Sequence, residues 1–220
     1  MVILNFDMAA VACIELHLLP SLEYFCALQP FHQVVVEKHE HFVKQSYRNR
    51  YYILTAQGTF PLTVPIIHSS QKQSIDKTAI DYSQKWQNNH WRTIESAYRN
   101  APFFEFYEQD LRMILYRRHD SLFQLNYESL SFCLRALGLS VSLSETVTYE
   151  PSVESNTVDL RDEITAKKSY LDRTFYRPLP YYQVFGSAFV ANLSAIDLLF
   201  CMGPQSLQII RASAQTKVNN

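Results

Sequence analysis

Glycine is scarce. Four glycines in 220 residues leave too few for a glycine-rich phosphate loop, and neither a dinucleotide fingerprint nor a P-loop pattern occurs. Long apolar runs are missing as well. The opening MVILNFDMAAVACIELHLLP is broken at Asp7, well short of the ~20 residues that cross a bilayer, and it has no basic leader, so neither a signal peptide nor a membrane-spanning helix is expected. Charge of one sign is not in excess: 20 basic and 21 acidic residues give a net charge of −1. That balance excludes a globally basic nucleic-acid binder or a polybasic membrane-surface protein, and confines any basic site to a local patch. Cysteine is limited to Cys13, Cys26, Cys133 and Cys201, widely spaced among apolar neighbours. They read as small reduced core residues rather than disulfide or zinc partners. A serine nucleophile elbow, a Cys-His signature and a zinc-deaminase pattern are all lacking, so direct transfer assisted by a general base is the more economical chemistry.

What the chain has is apolar and aromatic content: 47% hydrophobic residues, with 14 Tyr and 14 Phe. This is enough for a sizeable core, and one domain over residues 11–212 is expected, with residues 1–10 an N-terminal extension and 213–220 a frayed polar tail. Val11 to Leu18 reads as a buried strand, the segment after Pro20 as a helix ended by Pro30, and Gln33 to Glu37 as a second strand pairing in parallel with the first. Arg48 to Thr55 and Phe60 to Ile66 form a hairpin around Gly58, and Ser74 to Tyr82 reads as a further strand. From Ser83 the period becomes helical through Asn100, followed by helices over Phe103 to Arg118 and Ser121 to Leu137, three helices expected to cover one face of the sheet. Leu139 to Thr148 alternates as a strand, and Glu150 to Tyr182 is a long irregular excursion, helical in part over Asp162 to Tyr170. Asn192 or Ser194 caps a helix broken at Gly203, and Ser206 to Ala212 forms another. The fold class is α/β: a single domain with a mixed, mostly parallel sheet, a hairpin extension and flanking helices.

The stretch EKHEHFVKQSYRNRYYI, Glu37 to Ile53, interleaves cations with aromatics. Read as extended chain, it places Lys44, Arg48 and Arg50 on one face, where they fit a diphosphate or carboxylate, with Tyr47 available to stack on a ring. The plainer reading is a solvated strand balanced by Glu37, Glu40 and Asp81. Glu37, His39 and His41 alternate on the same segment and have metal-ligand chemistry, but no accompanying ligand motif is present and no metal site is assigned. His90, four residues from both Trp86 and Ile94 on a helical face, is the best candidate acid or base; alternatively it is a hydrogen-bonded packing residue. Asp159 and Arg161 either close over a ligand or pin the excursion to the body. Asp197 reads as a first-turn carboxylate at a helix dipole. No cofactor is indicated.

The phrases LLPSLEYF, EKHEHFVKQSYRNRYYIL, LTVPI, DYSQKWQNNHWRTIESAYRNAPFFEFYE, VDLRDEI and IDLLFCMGP, in this order, resemble the WbqC-like protein family from about Cys13 to about Pro204. The basic block is similar to the branch often seen in Bacteroidetes. The resemblance implies a cytoplasmic bacterial protein associated with surface-polysaccharide assembly. Its expected activity is transfer of a small acyl or aminoacyl group to an amino sugar on a nucleotide or lipid diphosphate. A non-catalytic nucleotide- or anion-binding accessory role is the alternative. It adds Gln45, Asn49, Tyr98 and Arg99 to the candidate residues. In that scheme His90 takes the proton, Lys44, Arg48 and Arg50 hold the anionic group, and Tyr47, Trp86 and Tyr98 shape the pocket. The scheme requires the basic segment and His90 to form opposite walls of one cavity.

Overall fold

A computed structural model describes residues 11–67 and 72–215; the expected N-terminal extension lies outside these residues. Strands β1 (Val11–Glu15), β2 (Gln33–Glu37), β5 (Ser142–Glu145) and β6 (Thr157–Asp159) form one all-parallel sheet in the order β5-β2-β1-β6. Helix α1 (Leu22–Leu28) links β1 to β2 and ends just before Pro30. Ala12 and Ile14 alternate with Val34 and Val36 into the core, as the period of two requires. The chain passes from β5 at one edge to β6 at the other, so the direction of connection reverses at β1. Ligands of open parallel sheets bind beside the carboxyl ends of strands at such a reversal.

The hairpin, β3 (Arg50–Thr55) and β4 (Gly58–Thr63), is a separate antiparallel sheet turned at Gly58 with φ 99°. Helices α2 (Trp86–Tyr98), α3 (Phe104–Tyr116) and α4 (Leu122–Leu137) follow, the last ending at Gly138 in the left-handed region. Helix α2 packs on β3, whose Tyr51 and Ile53 are buried, and α3 packs on α2, α4 and α5 (Ala195–Met202). Helix α6 (Ser206–Ser213) packs on α1.

Three local expectations are corrected. Residues 38–49 are loop and turn rather than strand, with Gln45 at φ 56°. The 74–82 segment holds only a short 3-10 turn, Ile75–Lys77, and isolated bridges. Of the expected frayed tail, residues 213–215 are held, Ala214 bridging Tyr176 and the Gln215 N–H donating to the Phe175 carbonyl at 3.0 Å, and residues 216–220 lie outside the described residues.

Candidate functional site

Immediately beyond β1, the Glu15 and His17 side chains are enclosed, and their neighbours are charged. His17 Nε2 lies 3.1 Å from Glu15 Oε1, while Glu15 Oε2 accepts from the Asp162 backbone N–H at 3.0 Å. Burial works against ionisation of Glu15, but the His17 hydrogen bond and the positive field of Arg48 hold its carboxyl below the usual range. Burial keeps the His17 imidazole neutral, outweighing the pull of Glu15. Arg48 is 2% exposed and grips Glu40 with two parallel bonds, Nε to Oε1 at 2.8 Å and a terminal nitrogen to Oε2 at 2.5 Å, while also donating to Asp162 at 2.9 Å. One guanidinium therefore faces three carboxylates, those of Glu40, Asp162 and Glu15. Burial pushes Glu40 up to about 7 against the attraction of Arg48. Charges are rarely buried without a purpose beyond packing, since each costs several kcal/mol of desolvation. This polar centre sits where the fold directs ligands.

Two further guanidinium groups tie the excursion down, one at the end of β2 and one on α1. Arg161 donates to Asp159 through two nitrogens, to Glu37 Oε2 at 3.1 Å and to the Glu150 carbonyl at 2.8 Å. Arg173 grips Glu23, a fully buried residue of α1, at 2.5 and 2.6 Å, and Asn192 joins the same carboxylate. Among the described residues four non-glycine residues have positive φ, Leu19, Gln45, Asp162 and Asn192, and all lie in loops bordering this centre or the cavity described next. Strained backbone of this kind gathers at functional sites.

Segment 42–50 carries the expected binding residues, but its two faces diverge. Tyr47 and Arg48 turn toward the strand ends, the Tyr47 ring lying 5.2 Å from His17. Lys44, Gln45, Asn49 and Arg50 turn the other way and line a cavity of ≈ 350 Å³ with Phe42, Thr63 and Asp81. Backbone bonds fix this split: the Tyr47 carbonyl accepts from Leu18, and the Asn49 carbonyl from Val64. Arg50 donates only its Nε to a protein group, Thr63 Oγ1 at 3.1 Å, and Lys44 has no hydrogen-bond or ion-pair partner among the described residues. Their cationic ends are thus available to an anion, and Asp81 already engages Ser83 and Gln84.

His90 is 3% exposed and outside the lining of this cavity, with Nδ1 3.2 Å from the Tyr51 hydroxyl and Nε2 3.2 Å from the Thr63 carbonyl. Burial drops its pKa to about 4. The shared cavity wall expected from the sequence is therefore not formed here, because β4 lies between His90 and the space that Arg50 borders. Trp86 is buried edge-on against His90, and Tyr98 is buried with its hydroxyl donating to Asp197 and accepting from Leu54. Arg99 is an exposed residue closing α2. Asp159 and Arg161 pin the excursion, with the Arg161 donors directed to protein acceptors. Asp197 lies in the first turn of α5, as expected, and is buried, accepting from Tyr98, Tyr181 and Gln183. Glu37, His39 and His41 do not converge: Glu37 accepts from Thr146 and Arg161, and His39 Nε2 contacts the Thr146 carbonyl. Among the described residues no group of three His, Cys, Asp or Glu is placed to hold a metal. The four cysteines are buried and free, and no helix of the described residues is long and apolar enough to cross a membrane.

Sequence reasoning missed Glu15, His17, Glu23, Asp162 and Arg173. Glu15, His17 and Glu23 nonetheless carried a signal: charged or polar residues inside the apolar runs VACIELHLLP and SLEYFCAL must be either costly or useful.

Residues 17–174 match the WbqC-like protein family. The chain is also similar to the uncharacterized protein Rv1507c of Mycobacterium tuberculosis, at 28% identity over 236 aligned positions covering 94% of this chain and 100% of that protein. No solved structure gives a significant match.

Proposed function

The chain belongs to the WbqC-like protein family, and on that footing we propose that it binds the phosphate of a nucleotide-linked or lipid-linked sugar in the cavity bordered by Lys44, Gln45, Asn49 and Arg50. The purpose of that binding is transfer of a small acyl or aminoacyl group to an amino sugar in bacterial surface-polysaccharide assembly. The observation that carries the reading is the pair of cations with free donors at one cavity of ≈ 350 Å³. A guanidinium fork and an ammonium point charge together suit a diphosphate, and the neighbouring Gln45 amide suits sugar hydroxyls, while the Asn49 amide nitrogen is held by the Val64 carbonyl at 2.8 Å. Arg48, committed to Glu40 and Asp162, supports the loop instead of touching ligand. The test is calorimetric titration with a uridine diphosphate amino sugar. Lys44→Ala with Arg50→Ala should weaken binding at least ~10-fold, the equivalent of about 1.4 kcal/mol, and raised salt should weaken the parent in the same direction. Equal binding by parent and double variant overturns the reading.

The alternative is a non-catalytic nucleotide- or anion-binding accessory protein. The enclosure of His90 favours it, since a base whose two ring nitrogens already contact protein atoms is poorly placed to take a substrate proton. Under this alternative the same cavity binds the same anion and no acyl transfer follows.

A further inference from the structure

The Glu15–His17 pair has an arrangement that packing does not explain. A carboxylate offers only acceptors, so the 3.1 Å contact places the imidazole hydrogen on Nε2 and leaves the lone pair on Nδ1. That Nδ1 is buried and has no hydrogen-bond partner among the described residues, although an unmet buried acceptor costs about 1–3 kcal/mol. The same region holds Glu15, Glu23, Glu40 and Asp162 against Arg48 and Arg173, and its uncompensated charge is negative. A ligand that complements both features brings an N–H donor and tolerates, or carries, positive charge. A primary amine does both.

We infer that His17, oriented by Glu15, is the proton acceptor for a primary amine that enters at the carboxyl ends of β1 and β2, with Tyr47 as the side chain it displaces. The inference rests on the acyl transfer to an amine in the proposed function, with that amine held at the strand ends and not in the cavity that Lys44 and Arg50 border. Tyr47 is half-buried, with its ring tilted at 36° to the imidazole at 5.2 Å and edge-on to Tyr52 at 6.1 Å, so it is the partly exposed side chain packed against this imidazole. In the step, an amine N–H proton passes to His17 Nδ1, and the resulting imidazolium shares its Nε2 hydrogen with Glu15. The amine lone pair forms the new C–N bond to the carbonyl carbon of an activated acyl donor. The donor's leaving group departs with its bonding pair and later collects the proton. A buried carboxylate behind a neutral imidazole is the arrangement such a transfer needs, because it fixes the tautomer and offsets the charge that develops.

The experiment follows the His17 ring nitrogens by NMR in protein carrying ¹⁵N-labelled histidine, titrated with glucosamine and, separately, with glucose. The expected result is a free lone-pair signal at Nδ1 that moves saturably toward the hydrogen-bonded range with glucosamine and stays put with glucose. His17→Gln should remove the responding resonance and no other, which assigns it to His17; a glucosamine response that survives in the variant comes from another histidine and overturns the inference. An Nδ1 that already carries hydrogen, that ignores glucosamine, or that responds equally to glucose overturns the inference. Repeating the titration in Lys44→Ala with Arg50→Ala separates the two proposals. A retained amine response alongside lost phosphate binding supports both. An amine response in a protein that never binds nucleotide sugar overturns only the cavity reading, and phosphate binding without an amine response overturns only the role of His17.

Discussion

Replacing Arg48 with Met should cost the protein a large part of its stability and do so in a pH-dependent way. Methionine keeps most of the buried stem and removes the guanidinium that bonds Glu40 at 2.8 and 2.5 Å and Asp162 at 2.9 Å. Breaking one side of a buried pair typically costs about 3–5 kcal/mol, because the surviving carboxylate stays out of water; domains of this kind have only about 5–15 kcal/mol in total. The sign of the pH effect follows from Glu40. Its carboxyl is raised from 4.5 to about 7 by burial, so the folded state holds its proton more tightly than the unfolded state does. Stability from this group is then full below the unfolded value and falls by about 3 kcal/mol as pH rises through the folded one. Without Arg48 the ionised form loses its counter-charge, the folded pKa rises further, and the penalty keeps growing above neutrality. The deficit of the variant relative to the parent should therefore be small near pH 5 and largest near pH 8. Urea denaturation followed by tryptophan fluorescence reads it directly, since Trp86 and Trp91 are both buried. A loss under about 1 kcal/mol, or one that does not change with pH, would refute the reasoning.

Three other perturbations follow from the same contacts. His90 is depressed from 6.5 to about 4 by burial, so it destabilises the fold as pH falls between those values, by about 3 kcal/mol in the limit. His90→Gln should flatten acid denaturation over that window and leave nucleotide-sugar affinity unchanged, as paired melts and titrations would show. Arg173→Ala leaves the buried Glu23 carboxylate with Asn192 as its remaining side-chain partner. Limited proteolysis should then cut the 165–180 segment faster than in the parent while the parallel sheet stays intact. Gly203 has φ 51°, and a Cβ there would run into the Phe103 ring. Gly203→Ala should lower stability by about 1–3 kcal/mol, measurable as a shifted melting temperature with no change in ligand binding.

Much of the architecture was legible because periodicity reports burial. QVVVE became β2 at its expected bounds, Ser121 and Gly138 bracket α4, and the two β-rich runs around Gly58 paired as a hairpin. The basic block was read as a strand because Tyr, Val and Ile favour extended chain, but propensity is local. Tertiary bonds from Leu18, Val64 and Asn126 to the carbonyls of Tyr47, Asn49 and Arg48 impose turns instead. That difference matters for the site, because a strand would put Lys44, Arg48 and Arg50 on one face, whereas the turn sends Arg48 to the carboxylates and the other two to the cavity. Strand β6 escaped notice since it is only Thr157–Asp159, held by pairing to β1 and not by any pattern of its own. The polar centre was hidden for a related reason: Glu15, His17, Glu23, Glu40, Asp162 and Arg173 are scattered along the sequence, and only the convergence of loops at the strand ends brings them together.

On the proposed reading, the chain recognises phosphate through the cavity on the outer face of the basic loop. A crystal structure with a bound uridine diphosphate amino sugar tests it most directly. The predicted result places phosphate oxygens within about 3 Å of the Arg50 guanidinium and the Lys44 ammonium, with the Arg48–Glu40 pair undisturbed behind them. A phosphate seated anywhere else, or one that reaches Arg48 by breaking its bond to Glu40, would contradict it.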